Sequence, residues 1–218
     1  MTRQIARLSE AVSTVRDENN TGGDRAMNAA PAPSYSTWDE LVQNWQHLDL
    51  PDKAWRAEII EETIVMTPPP GPAHNMIADV VHRELVGAVP RELGIFQTLG
   101  IAVPLRRSIF IPDLVVVPRA DIPGRSDPQP VPAERALLIV EITSKSNADV
   151  DRKQKLWSYA QAEIPLYVLI DEFAADGPAV FVHSEPHEGR YRKRELFPFG
   201  KPVELPAPFD LTIPTDEF

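Results

Sequence analysis

The chain contains no cysteine, and this absence excludes several kinds of chemistry at once. Disulfide bonds, thiolate nucleophiles, iron–sulfur clusters and cysteine-ligated zinc all need a residue that the sequence does not have. The sequence also lacks any run close to the ~18–20 apolar residues that a membrane-spanning helix needs. Its start, MTRQIARLSE, has no apolar stretch of the kind found in a secretory signal peptide. We therefore expect a cytoplasmic protein that does not enter a membrane.

Basic residues are also in short supply. The 218 residues include 22 lysines and arginines against 32 aspartates and glutamates, which gives a formal net charge of −10. Bulk attraction to nucleic acid depends on lysine and arginine, so this balance disfavours it, although a small local basic surface stays compatible with it. The sequence has no phosphate-binding glycine loop, nucleophile elbow or zinc-binding histidine pair.

The composition indicates one folded domain preceded by a tail. In residues 1–33 a short stretch of helical spacing is broken by NNTGGD and followed by the linker-like NAAPAPS, which predicts a flexible tail. Residues 34–218 are expected to form a single domain, and they carry the whole net charge with 18 basic and 28 acidic residues.

The first elements of this domain are predicted from capping and periodicity. Thr37 and Glu40 have the spacing of a capping box, so a helix is expected to begin there and to reach about residue 45. Residues 55–67 read as two strands with a turn between them. The segment PPPGP then forces an extended connection, and residues 73–89 have the spacing of an amphipathic helix.

Three short runs are apolar on both faces, as in strands buried inside a sheet: 109–118, 137–142 and 166–171. Residues 149–162 read as a helix between the last two runs, so this strand–helix–strand order predicts parallel pairing. Residues 179–213 alternate and predict antiparallel hairpins. The expected fold is α/β, with a central mixed sheet of about five or more strands flanked by helices.

Two carboxylates lie within the apolar strands. Asp113 is surrounded by Ile111, Pro112, Leu114 and Val115, and Glu141 follows the run Leu-Leu-Ile-Val. A buried carboxylate is costly unless it is paired or bound to a metal. Two of them on neighbouring strands suggest a divalent cation site, because hard cations take oxygen ligands. The alternative is that each carboxylate lies at a strand end and reaches solvent or caps a helix.

A lysine on the helix over 149–162 adds to this pattern. The i, i+4 spacing places Asp151, Lys155 and Tyr159 on one edge, and Lys155 borders the apolar face, from which it could reach over the sheet. An exposed ion pair between Lys155 and Asp151 is the alternative, worth only a few tenths of a kcal/mol. Spacing alone favours the exposed pair.

Three segments, in their order and separation, resemble the Uma2-like (DUF820) proteins, a branch of the PD-(D/E)XK restriction-endonuclease-like superfamily. They are AEIIEETIVMTPPPGPAHN, IPDLVVV and LLIVEITSKSNADVDRKQKLWSYAQAEIPLYVLID, and the resemblance runs from about Tyr35 to the C-terminus. The third segment is the most specific. It joins an acidic strand, a serine-containing loop, a DRxxK helix and a strand of the pattern Pro-x-Tyr-x-x-x-Asp.

The resemblance implies a metal-dependent nuclease core with its catalytic residues on these segments. Asp113 matches the acidic residue of the Pro-Asp element, and Glu141 matches the second acidic position. In the superfamily a lysine usually stands two residues after the second acidic residue, and in this chain that position is Thr143. Lys155 matches a lysine on the following helix that takes its place in Uma2-like proteins. Asp113, Glu141 and the backbone carbonyl of Ile142 would hold Mg²⁺ or Mn²⁺, and Lys155 would orient the attacking water.

The resemblance also implies accessory residues. Glu58 matches an acidic residue of the first strand and could complete the metal shell, and His74 matches a histidine at the start of the following helix. Lys145 lies in a loop that commonly reads Ser-Pro-Ser in the family, where it adds a cation that could contact phosphate.

Other signals are less specific. The basic cluster RYRKR at 190–194 could contact a DNA backbone, although a solvated face is the commoner reading. His183 and His187 are expected to surround a hairpin turn and to bind nothing. The tryptophans are expected to be core or interface anchors: Trp45, Trp55 and Trp157.

The favoured hypothesis is an Mg²⁺- or Mn²⁺-dependent endonuclease that hydrolyses phosphodiester bonds in DNA. A homodimer is expected, because duplex cleavage commonly uses two-fold symmetry. One alternative is a nuclease fold that works without turnover as a binding or assembly protein. The other is a hydrolase of small phosphodiesters, which a deep and narrow pocket would indicate.

Overall fold

The computed structural model describes residues 37–124, 129–144 and 148–218. The tail expected over 1–33 and the accessory candidate Lys145 lie outside these ranges, and the domain boundary at residue 34 stays a prediction.

Helices α1 to α3 are Trp38–Gln46, Pro72–Ala88 and Leu156–Gln161, and a π-helical segment, Val150–Lys155, leads into α3. Strands β1 to β13 are Arg56–Ile60, Thr63–Thr67, Leu93–Phe96, Ile101–Val103, Ser108–Phe110, Leu114–Pro118, Val131–Pro132, Leu138–Ile142, Leu166–Asp171, Ala179–His187, Arg190–Pro198, Val203–Leu205 and Leu211–Ile213. Single 3-10 turns cover Pro104–Arg106, Arg119–Asp121 and Ala133–Arg135.

A mixed six-stranded sheet forms the centre of the fold. Its strand order is β11-β10-β9-β8-β6-β3, and every pair is antiparallel except β8 and β9. The parallel pair confirms the prediction drawn from the strand–helix–strand order. The predicted C-terminal hairpins are confirmed as β10–β11 and β12–β13.

A second sheet holds the N-terminal strands. It has five strands in the order β2-β1-β5-β4-β7. The β1–β2 hairpin confirms the predicted strand pair and turns at Glu61 and Glu62, whose φ angles are +47° and +70°. Positive φ at both central residues is typical of the tight hairpin turn that matches the twist of the strands. The capping box at Thr37 and Glu40 is also present at the start of α1.

The single strand expected over 109–118 is wrong. The structure divides this run into β5, in the five-stranded sheet, and β6, in the six-stranded sheet. The chain crosses between the sheets at residues 111–113, where Pro112 has no N–H to donate to a strand ladder. Asp113 is therefore the last residue of a link between two sheets.

Two hydrophobic clusters cover the faces of the six-stranded sheet. Helix α2 and the β12–β13 hairpin pack on one face through Leu85, Ile213 and the buried residues Val116 and Val140. Tyr159 packs on the other face with Ile139 and Tyr167. Because side chains alternate along a strand, Glu141 points to the same face as Ile139. None of the helices in the described ranges is long and apolar enough to cross a membrane.

The structure corrects the expectation for one histidine and decides between core and surface for one tryptophan. His183 is not at a surface turn, because the β10–β11 turn follows His187, and it is 6% exposed. It stacks on Tyr167 of the neighbouring strand, and burial lowers its pKa to about 4. Of the two roles expected for Trp157, the core is excluded, since the residue is 40% exposed and carries the Arg106 guanidinium 3.8 Å above its ring, and a role at an interface stays a prediction.

Candidate active site

A buried lysine lies at the centre of the candidate site. Lys155 Nζ is 3.0 Å from Glu141 Oε1, 3.2 Å from Glu58 Oε1 and 3.2 Å from Asp151 Oδ1, and its side chain is 4% exposed. The exposed ion pair favoured by the i, i+4 spacing is therefore wrong. The pair exists, but both partners are buried because their segment packs against the sheet.

Three elements bring these groups together. Glu58 is in the middle of β1, and its Oε1 accepts a hydrogen bond of 2.7 Å from the Ile111 amide. Glu141 lies one residue before the end of β8. Lys155 ends the π-helical segment, where the sequence analysis expected a regular helix over 149–162. Such π-bulges inside helices are frequent at functional sites.

Asp113 is held on two sides. Its Oδ2 accepts a hydrogen bond of 2.9 Å from the Ile142 amide, next to Glu141 on β8. Its Oδ1 lies 3.0 Å from Arg56 Nη1 and 3.0 Å from His74 Nε2. His74 is in the first turn of α2, which begins directly after the proline run. The amide, the guanidinium and the imidazole together fix the carboxylate at the mouth of the sheet.

Burial and charge act in opposite directions on these groups. Burial raises the pKa of Asp113, but His74, the Ile142 amide and the charge of Lys155 together outweigh it, and the net pKa is lowered. Burial raises the pKa of Glu141 well above its usual range, with Lys155 opposing the shift. Burial also raises the pKa of Asp151 to about 6. For Lys155, burial lowers the pKa, but Glu141 and the other carboxylates raise it well above its ordinary value, so the amine stays charged.

The cluster holds more negative than positive charge. Its four carboxylates face two permanent cations, Lys155 and Arg56, so the fully ionised cluster has a formal excess of negative charge. Within the described residues, Asp151 Oδ2 is buried and has no hydrogen-bond partner. A divalent cation would supply the charge that is missing.

Two tyrosine hydroxyls donate hydrogen bonds to the residues of the carboxylate cluster. The Tyr159 hydroxyl donates a hydrogen bond of 2.7 Å to Glu141 Oε1, and the Tyr167 hydroxyl donates one of 3.0 Å to the Asp151 carbonyl. The two rings meet edge to face, with centroids 5.2 Å apart. These contacts fix the rotamer of Glu141 and the start of the π-helical segment.

The helix is also tied to the strand that follows it. Arg152 makes two hydrogen bonds to Asp171, from Nε at 2.7 Å and from Nη2 at 2.8 Å. Thr143 Oγ1 donates a third at 3.1 Å. Paired arginine–carboxylate contacts are both strong and directional. The DRxxK helix and the final aspartate of β9 therefore form one unit that orients Lys155.

The site opens into a cleft of about 420 Å³ between the proline run and the end of β8. The cleft is lined by five of the residues expected from the sequence: Glu58, His74, Asp113, Glu141 and Lys155. Ile142 contributes its amide to Asp113.

Sequence reasoning missed three contributors to the site. Asp151 was read as a surface partner, although its spacing to Lys155 was visible. Tyr159 was placed on the correct edge without a function. Arg56 carried no signal, because its contact with Asp113 joins positions 57 residues apart.

Among the described residues, no three Asp, Glu or His side chains form a preformed metal cage. This is compatible with Mg²⁺, which proteins usually hold through one or two carboxylates together with substrate phosphates. The oxygen donors of Asp113 and Glu141 and the excess negative charge fit a hard divalent cation.

A solved structure identifies the class of fold. The chain is similar to a protein described as "a putative nuclease belonging to DUF820 from Anabaena variabilis ATCC 29413", with a TM-score of 0.61 and 20% sequence identity. The match covers 83% of this chain and 96% of that one. The central sheet and its flanking elements thus share the fold of that protein.

The family follows from the sequence match. The family model Uma2, described as "Putative restriction endonuclease", matches residues 45–216, and the chain belongs to this family. The resemblance drawn from the three sequence segments is thereby confirmed. No curated protein matches the chain.

Proposed function

We propose that this chain is a divalent-metal-dependent endonuclease that hydrolyses phosphodiester bonds in DNA. The observation that carries the proposal is the buried Lys155 ammonium, 3.0 Å from Glu141 Oε1 in the cleft that also contains Asp113. Two carboxylates and an amine at one sheet edge match the requirements of metal-assisted phosphodiester hydrolysis. The family description supports a nuclease activity.

Asp113 and Glu141 would hold Mg²⁺ or Mn²⁺, with the backbone carbonyl of Ile142 as a third ligand. The N–H and C=O of one strand residue point to the same edge, and the Ile142 N–H is directed at Asp113. A bound cation would polarise a phosphoryl oxygen and lower the pKa of a coordinated water. Glu58 would join this shell.

Lys155 acts as a donor in this proposal. Since its amine is charged, it does not serve as a general base. It would orient the attacking water and stabilise the negative charge that develops on the phosphate. Tyr159 and Arg152 hold the carboxylate and the helix in place, and His74 and Arg56 hold Asp113.

The first experiment is titration calorimetry of Mg²⁺ and Mn²⁺ into the wild type and into Asp113→Ala and Glu141→Ala. We expect binding to the wild type and loss of binding in both variants. Glu204→Ala, an exposed carboxylate on the β12–β13 hairpin, is the matched control and should bind like the wild type.

Cleavage assays then separate the three functions that share this site. Cutting of plasmid and oligonucleotide DNA that is lost in Glu141→Ala supports the endonuclease. Hydrolysis of bis(p-nitrophenyl) phosphate without DNA cleavage would support a hydrolase of small phosphodiesters. No metal uptake by folded protein, with or without oligonucleotide, would support a binding or assembly protein. Sedimentation velocity tests the proposed homodimer.

A further inference from the structure

A second cavity adjoins the catalytic cleft. Its volume is about 590 Å³, and it lies between the end of α1, the loop that follows and the start of β1. Three residues line both this cavity and the cleft: Arg56, Pro70 and Ile111. The cleft and the cavity are therefore adjacent at these three residues.

Trp45 forms a fixed wall of this cavity. Its indole N–H donates a hydrogen bond to the Ala57 carbonyl on β1. Its ring packs against the backbone at Gly100, where an added Cβ would lie 3.3 Å from the ring. The indole is held at both ends, so its position is set before any ligand arrives.

Trp55 forms a second wall with more freedom. It is half-buried and comes directly before β1. Within the described residues, no aromatic ring stacks on it and no group accepts a hydrogen bond from its indole N–H. Both its π-face and its donor are thus available to a ligand.

Cations and apolar side chains complete the lining. Lys53 is exposed at the rim, and the Arg56 guanidinium marks the passage to the cleft. Leu48 and Leu50 add apolar surface. On a chain of net charge −10, two cations beside two indoles are a local exception that suits a flat aromatic group attached to a phosphate.

We propose that this cavity, lined by Trp45, Trp55 and Lys53, binds an unpaired nucleobase of the strand whose phosphate lies in the catalytic cleft. This inference rests on the proposed function and narrows its substrate to nucleic acid that is single-stranded or locally unpaired at the cleavage position. A base can stack between aromatic side chains only after it has left the duplex. Arg56 would contact the phosphate between the cleft and the cavity.

The test is fluorescence anisotropy with a labelled single-stranded DNA 12-mer in Mg²⁺, using Glu141→Gln as the background so that no cleavage occurs. Adding Trp55→Ala should weaken binding by about 5- to 150-fold, the range expected for one stacked base. Trp55→Phe should recover most of the affinity. Trp157→Ala, an exposed indole elsewhere, is the matched control and should leave the affinity unchanged.

An abasic ligand guards against an effect of misfolding. Oligonucleotides with one abasic site, scanned along the strand, should bind the parent more weakly at one position. In the Trp55→Ala variant, an abasic site at that position should not lower the affinity any further. Equal affinity of Trp55→Ala and Trp157→Ala, or no position-specific effect in the scan, would overturn the inference.

The failure of this inference is distinguishable from failure of the proposed function. Base binding at Trp55 without metal-dependent cleavage by the wild type would refute the proposed nuclease function and support base binding in the second cavity. Cleavage that is insensitive to substitution of Trp55, and equal on duplex and single-stranded DNA, would refute base binding in the second cavity and support the nuclease function.

Discussion

Arg56 Nη1 lies 3.0 Å from Asp113 Oδ1, and this contact joins the two sheets. Arg56 begins β1 in the five-stranded sheet, and Asp113 immediately precedes β6 in the six-stranded sheet. The guanidinium neutralises the carboxylate that we assign to the metal. It would therefore compete with a bound metal for Asp113, and it also lines the second cavity.

Arg56→Ala should consequently have opposite effects on metal binding and on DNA binding. Without the competing cation, Mg²⁺ alone should bind more tightly by about 3- to 10-fold, as expected for one partly screened charge. The affinity for oligonucleotide should fall. Calorimetry and anisotropy measure the two effects, and a fall in both affinities would show that Arg56 does not compete with the metal.

Lys155→Met should be strongly destabilising in the absence of metal. The variant leaves the carboxylates of Glu58, Glu141 and Asp151 buried without their cation, and breaking a buried ion pair costs about 3–5 kcal/mol. Urea unfolding measures the loss. Lys153→Met is the matched control, because Lys153 is on the same segment with a 76% exposed side chain, and its effect should be small.

Tyr159→Phe removes one hydroxyl and little volume. Its hydrogen bond goes to the buried side chain of Glu141, so removing it leaves a buried oxygen with one donor fewer, and we expect a loss of about 1–3 kcal/mol. Tyr191→Phe, whose hydroxyl donates to the Ile164 carbonyl, should lose only about 0.5–1.5 kcal/mol. Chemical denaturation of both variants checks the order, and equal losses would show that the bond to Glu141 stabilises the fold no more than the bond to the Ile164 carbonyl.

His183 should make stability depend on pH away from the candidate site. Its pKa falls from 6.5 to about 4 on folding because burial disfavours the charged ring. The folded state binds fewer protons than the unfolded state, so this stabilisation is complete above pH 6.5 and is lost as pH falls towards 4. The shift corresponds to roughly 3 kcal/mol.

Urea unfolding of the wild type and His183→Gln between pH 4 and 7 tests this effect. The difference in unfolding free energy between them should shrink as the pH falls. His187→Gln, at the exposed end of β10, should follow the wild-type curve. A constant difference across the range would show that His183 does not titrate as the fold predicts.

The local patterns of the sequence were enough for most elements. The capping box at Thr37, the β1–β2 hairpin and the parallel β8–β9 pair each depend on short-range rules, and the structure confirms all three. The run 109–118 was misread because hydrophobicity alone does not reveal that one strand ends and another begins in a different sheet.

The candidate site also contains residues that the sequence predicted and residues that it did not. Asp113, Glu141 and Lys155 were found because their segments resemble a family, and the structure brings them together. The burial of Asp151 could not be read from its spacing, since burial depends on how the segment packs against the sheet.

The π-helical segment Val150–Lys155 determines the direction in which Lys155 and the residues of α3 point around the helix axis. Removing one residue between Asp151 and Lys155 would rotate Lys155 and Tyr159 relative to Asp151 by the advance of one residue, roughly 100° in an α-helix and less in a π-helix. The length of this segment is therefore a sequence-encoded register. A one-residue deletion here would dismantle the cluster without replacing any of its side chains.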